Sequence, residues 1–284
     1  MLLETVFIGI VTAYLHKKVK FYLIKKKKWD NAIMNGAEPF FIDNKSKTGI
    51  LLLHGFTSTP QEVKGIGEYL AKKGLTIYAP LLTGHGTHIF DLATTKRQDW
   101  EKSTIKAFNR LKKKAENIFV IGSSMGGNLA IKLANQKKVK GLILLGTPMF
   151  FKSELTKKIM LKGMSLFKNF VKKKHDKRAK RAIKKKVHYM HVPIKALKEL
   201  AKVIQESEDL LPNTKVPALV MQSATDQILT NENAELIYNR LGSKIKEKEF
   251  IPDSYHVFCL DKNKEIAFKK INEFIKKISS LKHQ

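Results

Sequence analysis

Six short runs of leucine, isoleucine, valine and aromatic residues recur along the chain, at 49–53, 75–80, 118–122, 141–145, 217–222 and 248–251. Between most of them the apolar positions fall into helical spacing. Near-continuous apolarity suits a strand buried on both faces, which is the condition of a parallel sheet covered by helices. Strands alternating with helices therefore predict an α/β protein built on a mostly parallel, doubly wound sheet. In such sheets ligands bind beyond the carboxyl ends of the strands.

Two stretches break this rhythm. From Phe150 to about Leu211 there is no strand run and almost no glycine, and Ile159, Met160, Met164, Leu166, Phe167, Phe170 and Val171 carry helical spacing. The expectation is a helical cap, 150–211, inserted into an α/β core made of 29–149 and 212–284. A cap excludes water and supplies an apolar pocket, and it can act as a lid; the same stripe also suits ordinary packing against the sheet. At the other end, Met1 to His16 is mostly apolar, and seven lysines follow between Lys17 and Lys28. A secretory signal has its positive charge before the apolar run. The run is shorter than the ~20 residues needed to span a bilayer, although Val19, Phe21, Tyr22, Leu23 and Ile24 extend it as a tilted or interfacial helix with snorkelling lysines. Residues 1–28 are expected to be a membrane anchor or interfacial helix, with a helix docked on the protein body as the alternative. Positive charge on the C-terminal side of the run places the rest of the chain in the cytoplasm.

Length and charge refine this picture. At 284 residues and 43% hydrophobic, the chain suits one α/β core plus an insertion. A net charge of +29 raises the question of nucleic acid, since basic proteins bind phosphate polymers electrostatically. Only five of the 54 basic residues are arginine, the better reader of bases and phosphates, and the lysines run through every predicted helix. No specific nucleic-acid partner is expected. Between Lys152 and Lys186, fifteen basic residues face two acids. That patch suits an anionic membrane surface, where each basic residue contributes ~1 kcal/mol. The single cysteine, Cys259, excludes an internal disulfide, fits a reducing compartment, and in Val257-Phe258-Cys259-Leu260 reads as a small buried hydrophobe.

The chemistry concentrates at Gly122-Ser123-Ser124-Met125-Gly126, directly after the run at 118–122 and before the helical pattern Asn128-Leu129-Ala130-Ile131-Lys132-Leu133. Glycines two before and two after Ser124 allow a sharp strand-to-helix reversal that leaves the hydroxyl exposed, the arrangement of a nucleophile elbow. A serine hydroxyl needs an imidazole to take its proton and a carboxylate to fix that imidazole's tautomer. Asp226 follows the run at 217–222, and His256 follows the run at 248–251, so acid and base come after the serine in the order an elbow fold uses. Asp253 is the rival acid; it precedes the histidine by three residues and is better placed to close its own turn. The elbow geometry takes one oxyanion donor from the residue after the nucleophile, here the Met125 amide, and another from the loop after an early strand, here the Phe56 amide in His54-Gly55-Phe56-Thr57. His54 and His85 read as structural loop histidines.

These motifs are specific enough to carry a resemblance. Leu51-Leu52-Leu53-His54-Gly55-Phe56-Thr57, Gly84-His85-Gly86, Gly122-Ser123-Ser124-Met125-Gly126-Gly127, Asp226 and Tyr255-His256-Val257 together resemble the bacterial carboxylesterase and monoacylglycerol lipase family of α/β-hydrolases, over about residues 47–279. The residue before the nucleophile is often leucine in that family and is Ser123 here. The resemblance implies an α/β-hydrolase fold, with Ser124, Asp226 and His256 as catalytic residues and Phe56 and Met125 as oxyanion-hole donors. It also implies a small-molecule ester or lipid substrate, with acyl chains of short to medium length or monoacylglycerol, and no metal or organic cofactor. Thioesterase or acyltransferase chemistry on the same triad, and a noncatalytic lipid-surface or partner-binding scaffold, are the alternatives.

Overall fold

Burial on both faces is what turns the apolar runs into strands. The computed structural model describes residues 32–151, 169–173 and 186–281. The chain divides into two compact units, Met1–Ile33 and Met34–Gln284, and almost all of the first lies outside the described residues. The expected membrane segment at 1–28 lies outside them as well.

The second unit holds a seven-stranded sheet. Its strands are β1 (Phe40–Ile42), β2 (Thr48–Leu53), β3 (Thr76–Ala79), β4 (Asn117–Ser123), β5 (Gly141–Leu145), β8 (Ala218–Ser223) and β9 (Lys246–Ile251), in the spatial order β1-β3-β2-β4-β5-β8-β9. All neighbours pair in parallel except β1, which runs antiparallel to β3. Successive residues along each inner strand point to opposite faces. Ile50, Leu52, Phe119, Ile121, Ile143 and Leu145 pack against α1 (Gln61–Ala71) and α7 (Lys264–Ser280). Leu51, Leu53, Val120, Leu142, Leu144 and Val220 pack on the other side, against α3 (Arg97–Lys112), α4 (Met125–Ala134) and α6 (Glu232–Arg240). Fully burying one such side chain contributes ~1.5–3 kcal/mol, so neither face tolerates a polar residue cheaply. The six predicted runs all appear as strands. β1 was not among them, because three residues after Pro39 are too few to establish a period.

Register brings the strand ends level: Leu53 pairs with Gly122, Ser123 with Leu145, Leu145 with Met221, and Ser223 with Ile251. The loops leaving β2, β4, β5, β8 and β9 consequently emerge from one edge.

The segment expected to be a strandless helical cap needs correction. Phe170 and Val171 lie in a strand, β6 (Phe170–Lys172), which pairs antiparallel with β7 (His191–Pro193). An aromatic and a β-branched residue suit a strand as well as a helix, and the pairing partner lies too far along the chain to register in a local pattern. Ile159, Met160, Met164, Leu166 and Phe167 are outside the described residues. Helix α5 (Ile194–Asp209) buries Ala196, Leu197, Leu200, Val203 and Ile204 in the same core as α4. Polar contacts add to this docking. Asn128 Nδ2 donates to Pro148 O and Ser207 Oγ, each at 2.8 Å, while Lys132 on α4 pairs with Glu101 on α3 and Glu206 on α5. Residues 194–209 are thus part of the helical layer that supports the sheet.

Candidate active site

Ser124 is the one residue between β4 and α4, with φ 52° and ψ −121°. A non-glycine residue held in this sparsely populated region costs on the order of 1–3 kcal/mol. Two hydrogen bonds hold it there: its N–H donates to Leu145 O and its carbonyl accepts from Gly127 N–H, both at 2.8 Å. The flanking glycines are required by space. A Cβ on Gly122 would run into the Gly126–Gly127 backbone, and one on Gly126 into the Leu53 carbonyl. Met125 opens α4, so its amide has no acceptor within the helix.

His256 Nδ1 donates to Asp226 Oδ2 at 2.7 Å, and both residues are buried. Asp226 Oδ1 accepts the N–H groups of Ile228 at 2.8 Å and Leu229 at 3.0 Å. With its proton on Nδ1, the ring presents a lone pair at Nε2. Burial by itself pushes the His256 pKa down, but the charge and hydrogen bond of Asp226 more than compensate and raise it. Burial likewise pushes Asp226 up, and the charge of His256, its hydrogen bond and the two amides bring it below its ordinary value. The loop bearing the histidine is tied down on both sides: Ser223 Oγ and Thr225 Oγ1 donate to Ser254 O, and Tyr255 N–H donates to Asp261 Oδ2.

Ser124 and His256 both border the end of β5. Leu145 O receives the Ser124 amide, and the next residue, Gly146, packs on the imidazole: a Cβ there would stand 3.2 Å from His256 Cε1. Gly55 is in contact with the serine, since a Cβ on it would lie 3.2 Å from Ser124 Cβ. The structure thereby brings Ser124, His256, Asp226, the Gly55–Phe56 loop and Met125 to one edge of the sheet. Asp253 lies apart, in an exposed turn with φ 41°, paired with Lys262.

Beneath the loop lies a buried aromatic frame. His54 accepts Leu82 N–H at Nε2 (3.2 Å) and its Nδ1 donates to Gly55 O (2.9 Å). Burial lowers its pKa to about 4, against the opposing pull of the Gly55 carbonyl and Glu62, so the ring is neutral at pH 7. His85 Nδ1 donates to Thr83 O, and its ring meets His54 edge-on at 5.1 Å between centroids. Phe56 packs edge-on against Trp100 and His85. The two histidines thus serve as framework for the loop. Cys259 is buried and burial pushes its thiol pKa up, which fits an apolar packing residue.

A charged group in this region has no local signature in the sequence. Glu62, in the first turn of α1, is buried; Oε1 accepts Gly55 N–H at 3.0 Å and Oε2 pairs with Lys186. Burial alone would raise its pKa, but the charge and hydrogen bond of Lys186 hold it at about 2. Nearby Lys173 donates to Thr57 Oγ1, and burial together with repulsion from Lys186 lowers its pKa to about 7. An acid two residues after a proline reads locally as a helix-dipole partner. The 124 residues separating it from Lys186 hide the pairing.

Comparison with known proteins places this chain among hydrolases. The family described as serine aminopeptidase, S33, matches residues 44–263. A carboxylesterase of Bacillus subtilis (strain 168) is 30% identical over 85% of this chain and 97% of its own length. A thermostable monoacylglycerol lipase of Bacillus sp. (strain H-257) is 32% identical over 86% of this chain and 96% of its own. Among solved structures, one described with LipS and LipT, two metagenome-derived lipolytic enzymes, superimposes with a TM-score of 0.79 at 31% identity, covering 87% of this chain and all of that one.

Proposed function

Because this chain belongs to the serine aminopeptidase S33 family of α/β-hydrolases, we propose that it is a serine esterase whose triad is Ser124, His256 and Asp226. Its substrates are carboxylic esters of short to medium acyl chains or monoacylglycerols. The observation that carries this reading is the 2.7 Å Asp226–His256 hydrogen bond at the same sheet edge as a serine in strained elbow geometry. The family description names a peptidase, but the relatives matched over nearly their whole length are named as an esterase and a lipase.

The chemistry follows from the proton positions. Ser124 Oγ attacks the ester carbonyl carbon as His256 Nε2 takes its proton, and the carbonyl oxygen becomes an oxyanion. The Phe56 and Met125 amides receive that charge, a contribution typically worth about 3–4 kcal/mol per donor. The intermediate collapses as His256 protonates the leaving oxygen, which departs as the alcohol. A water then attacks the acyl-enzyme with His256 as base, releasing the acid and restoring Ser124. Asp226 keeps the proton on Nδ1 and stabilises the imidazolium formed in each half-reaction.

The part of the proposed cap that precedes α5 supplies the acyl pocket, and α5 itself belongs to the helical layer of the core. Residues 1–28 and the basic run at 152–186 bring the enzyme to an anionic membrane surface on the cytoplasmic side. Among the described residues, no helix is long and apolar enough to cross a membrane. Deleting 1–28 and fractionating cells tests the anchor; unchanged membrane association would remove it from the proposal.

The catalytic reading is tested by hydrolysis of chromogenic esters from acetate to palmitate, a monoacylglycerol and an aminoacyl anilide. Wild type and Ser124→Ala are compared. Ester turnover that falls by several orders of magnitude in the variant is expected. Preferred cleavage of the anilide, or activity surviving in Ser124→Ala, would overturn it.

A further inference from the structure

A buried carboxylate is costly to maintain, and an apolar side chain would fill the same space behind the nucleophile elbow. Glu62 is 2% exposed at its side chain, and its partner Lys186 is 8% exposed. The carboxylate does not serve its own helix end alone: Oε1 is turned onto the Gly55 amide. Gly55 has no slack between its neighbours, because a Cβ on it would stand 3.0 Å from Glu62 Oε1 and 3.2 Å from Ser124 Cβ. Carboxylate, loop backbone and nucleophile therefore touch in series, and the residue after Gly55 is Phe56.

Lys186 ties the other side of this carboxylate to the segment returning from the 150–211 insertion. That segment is laced to the same loop. Tyr189 N–H donates to Thr57 O at 2.9 Å, Thr59 Oγ1 donates to Val187 O at 3.0 Å, and Val187 N–H donates to Gln61 Oε1 at 2.6 Å.

We infer that Glu62 is a positioning residue for the oxyanion hole: paired with Lys186, it holds the Gly55 amide and thereby fixes the Phe56 amide relative to Ser124. The inference rests on the proposed role of Phe56. Its consequence is that the return segment at 186–189 and the oxyanion loop move as one body, so displacement of that segment loosens the hole.

The test compares two double variants that both remove the buried charge pair. Glu62→Gln/Lys186→Met keeps an oxygen able to accept the Gly55 N–H; Glu62→Leu/Lys186→Met does not. Pre-steady-state acylation by a chromogenic ester is expected to stay within a few-fold of wild type in the first. In the second it is expected to fall about 10–100-fold with KM little changed, as for a catalytic group displaced by about 1 Å. Equal acylation rates in the two double variants, or a loss confined to KM, would overturn the inference. Should the leucine variant fail to fold, Glu62→Asp serves instead. It keeps the charge and the first-turn acid but withdraws the acceptor by one methylene, and wild-type acylation in it would be equally fatal. Ser124→Ala run alongside separates the failures. Activity without Ser124 rejects the esterase reading itself, whereas a dead Ser124→Ala beside a fully active leucine variant rejects only the positioning role.

Discussion

Replacing Asp226 by asparagine probes the site most sharply, because the two carboxylate oxygens have different partners. Oδ1 accepts two backbone N–H groups, from Ile228 and Leu229, and Oδ2 accepts the His256 Nδ1 proton. Asparagine offers one acceptor and one donor in their place. Leaving buried N–H groups without an acceptor costs about 1–3 kcal/mol each, so the amide oxygen takes the Oδ1 position and Nδ2 faces the imidazole. His256 must then accept at Nδ1 and carry its proton on Nε2. A ring protonated at Nε2 cannot take the proton of Ser124. A comparable tautomer reversal in a serine protease costs about 10⁴ in kcat, which corresponds to about 5 kcal/mol of transition-state stabilisation.

The assay is kcat and KM on a short-chain chromogenic ester from neutral to alkaline pH, with thermal unfolding as a check on the fold. Asp226→Ala is the control, since it places no donor against Nδ1 and leaves the ring free to adopt the reactive tautomer. The expected order of kcat is wild type, then Ala, then Asn. A well-folded Asn variant within tenfold of wild type, or an Ala variant less active than Asn, would refute the tautomer argument.

Two further outcomes follow from the same geometry. In Gly126→Ala the new Cβ meets the Leu53 carbonyl at the end of β2; overpacking of this kind costs about 1–3 kcal/mol. Chemical denaturation should show that loss, together with a fall in kcat because β2 carries the oxyanion loop; an unchanged variant would mean the elbow and β2 are less closely packed than described. The pKa of His54 is depressed from 6.5 to about 4 by burial, so below pH 6.5 the unfolded state binds a proton that the folded state refuses. Stability is therefore full above pH 6.5 and declines by about 3 kcal/mol as pH falls to 4. The buried His85, also shifted down, adds to the trend in the same direction. Denaturation at several pH values should show a weaker pH dependence in His54→Gln, and an unaltered slope would contradict the assignment.

The sheet was legible in the sequence because its evidence is local. A strand buried on both faces must be apolar at nearly every position, and Gly49 to Leu53 or Ile118 to Gly122 declares that within a few residues. The elbow was legible for a similar reason: the glycines at 122 and 126 are demanded by backbone overlap two residues either side of Ser124. Asp226 and His256 were readable only by their order after successive strands, and their 2.7 Å contact is a product of the level strand ends. The short strands β6 and β7 leave no local signature because each becomes a strand only through the other. Helix α5 shows a strong apolar stripe, but a stripe records that a face is buried and not what covers it; Asn128, Lys132 and the core beneath them assign it to the sheet's helical layer.

The amino-acid sequence by itself thus determined the parallel α/β sheet, the strained serine and the order of the reactive groups, since periodicity and backbone sterics act over neighbouring residues. The tertiary structure alone decided that Glu62 is a buried ion rather than a helix-end acid, that Lys186 is its partner, and that the return segment at 186–189 is bound to the oxyanion loop. Those contacts join residues more than a hundred positions apart, and the energies that fix them depend on burial, a property no local pattern of residues carries.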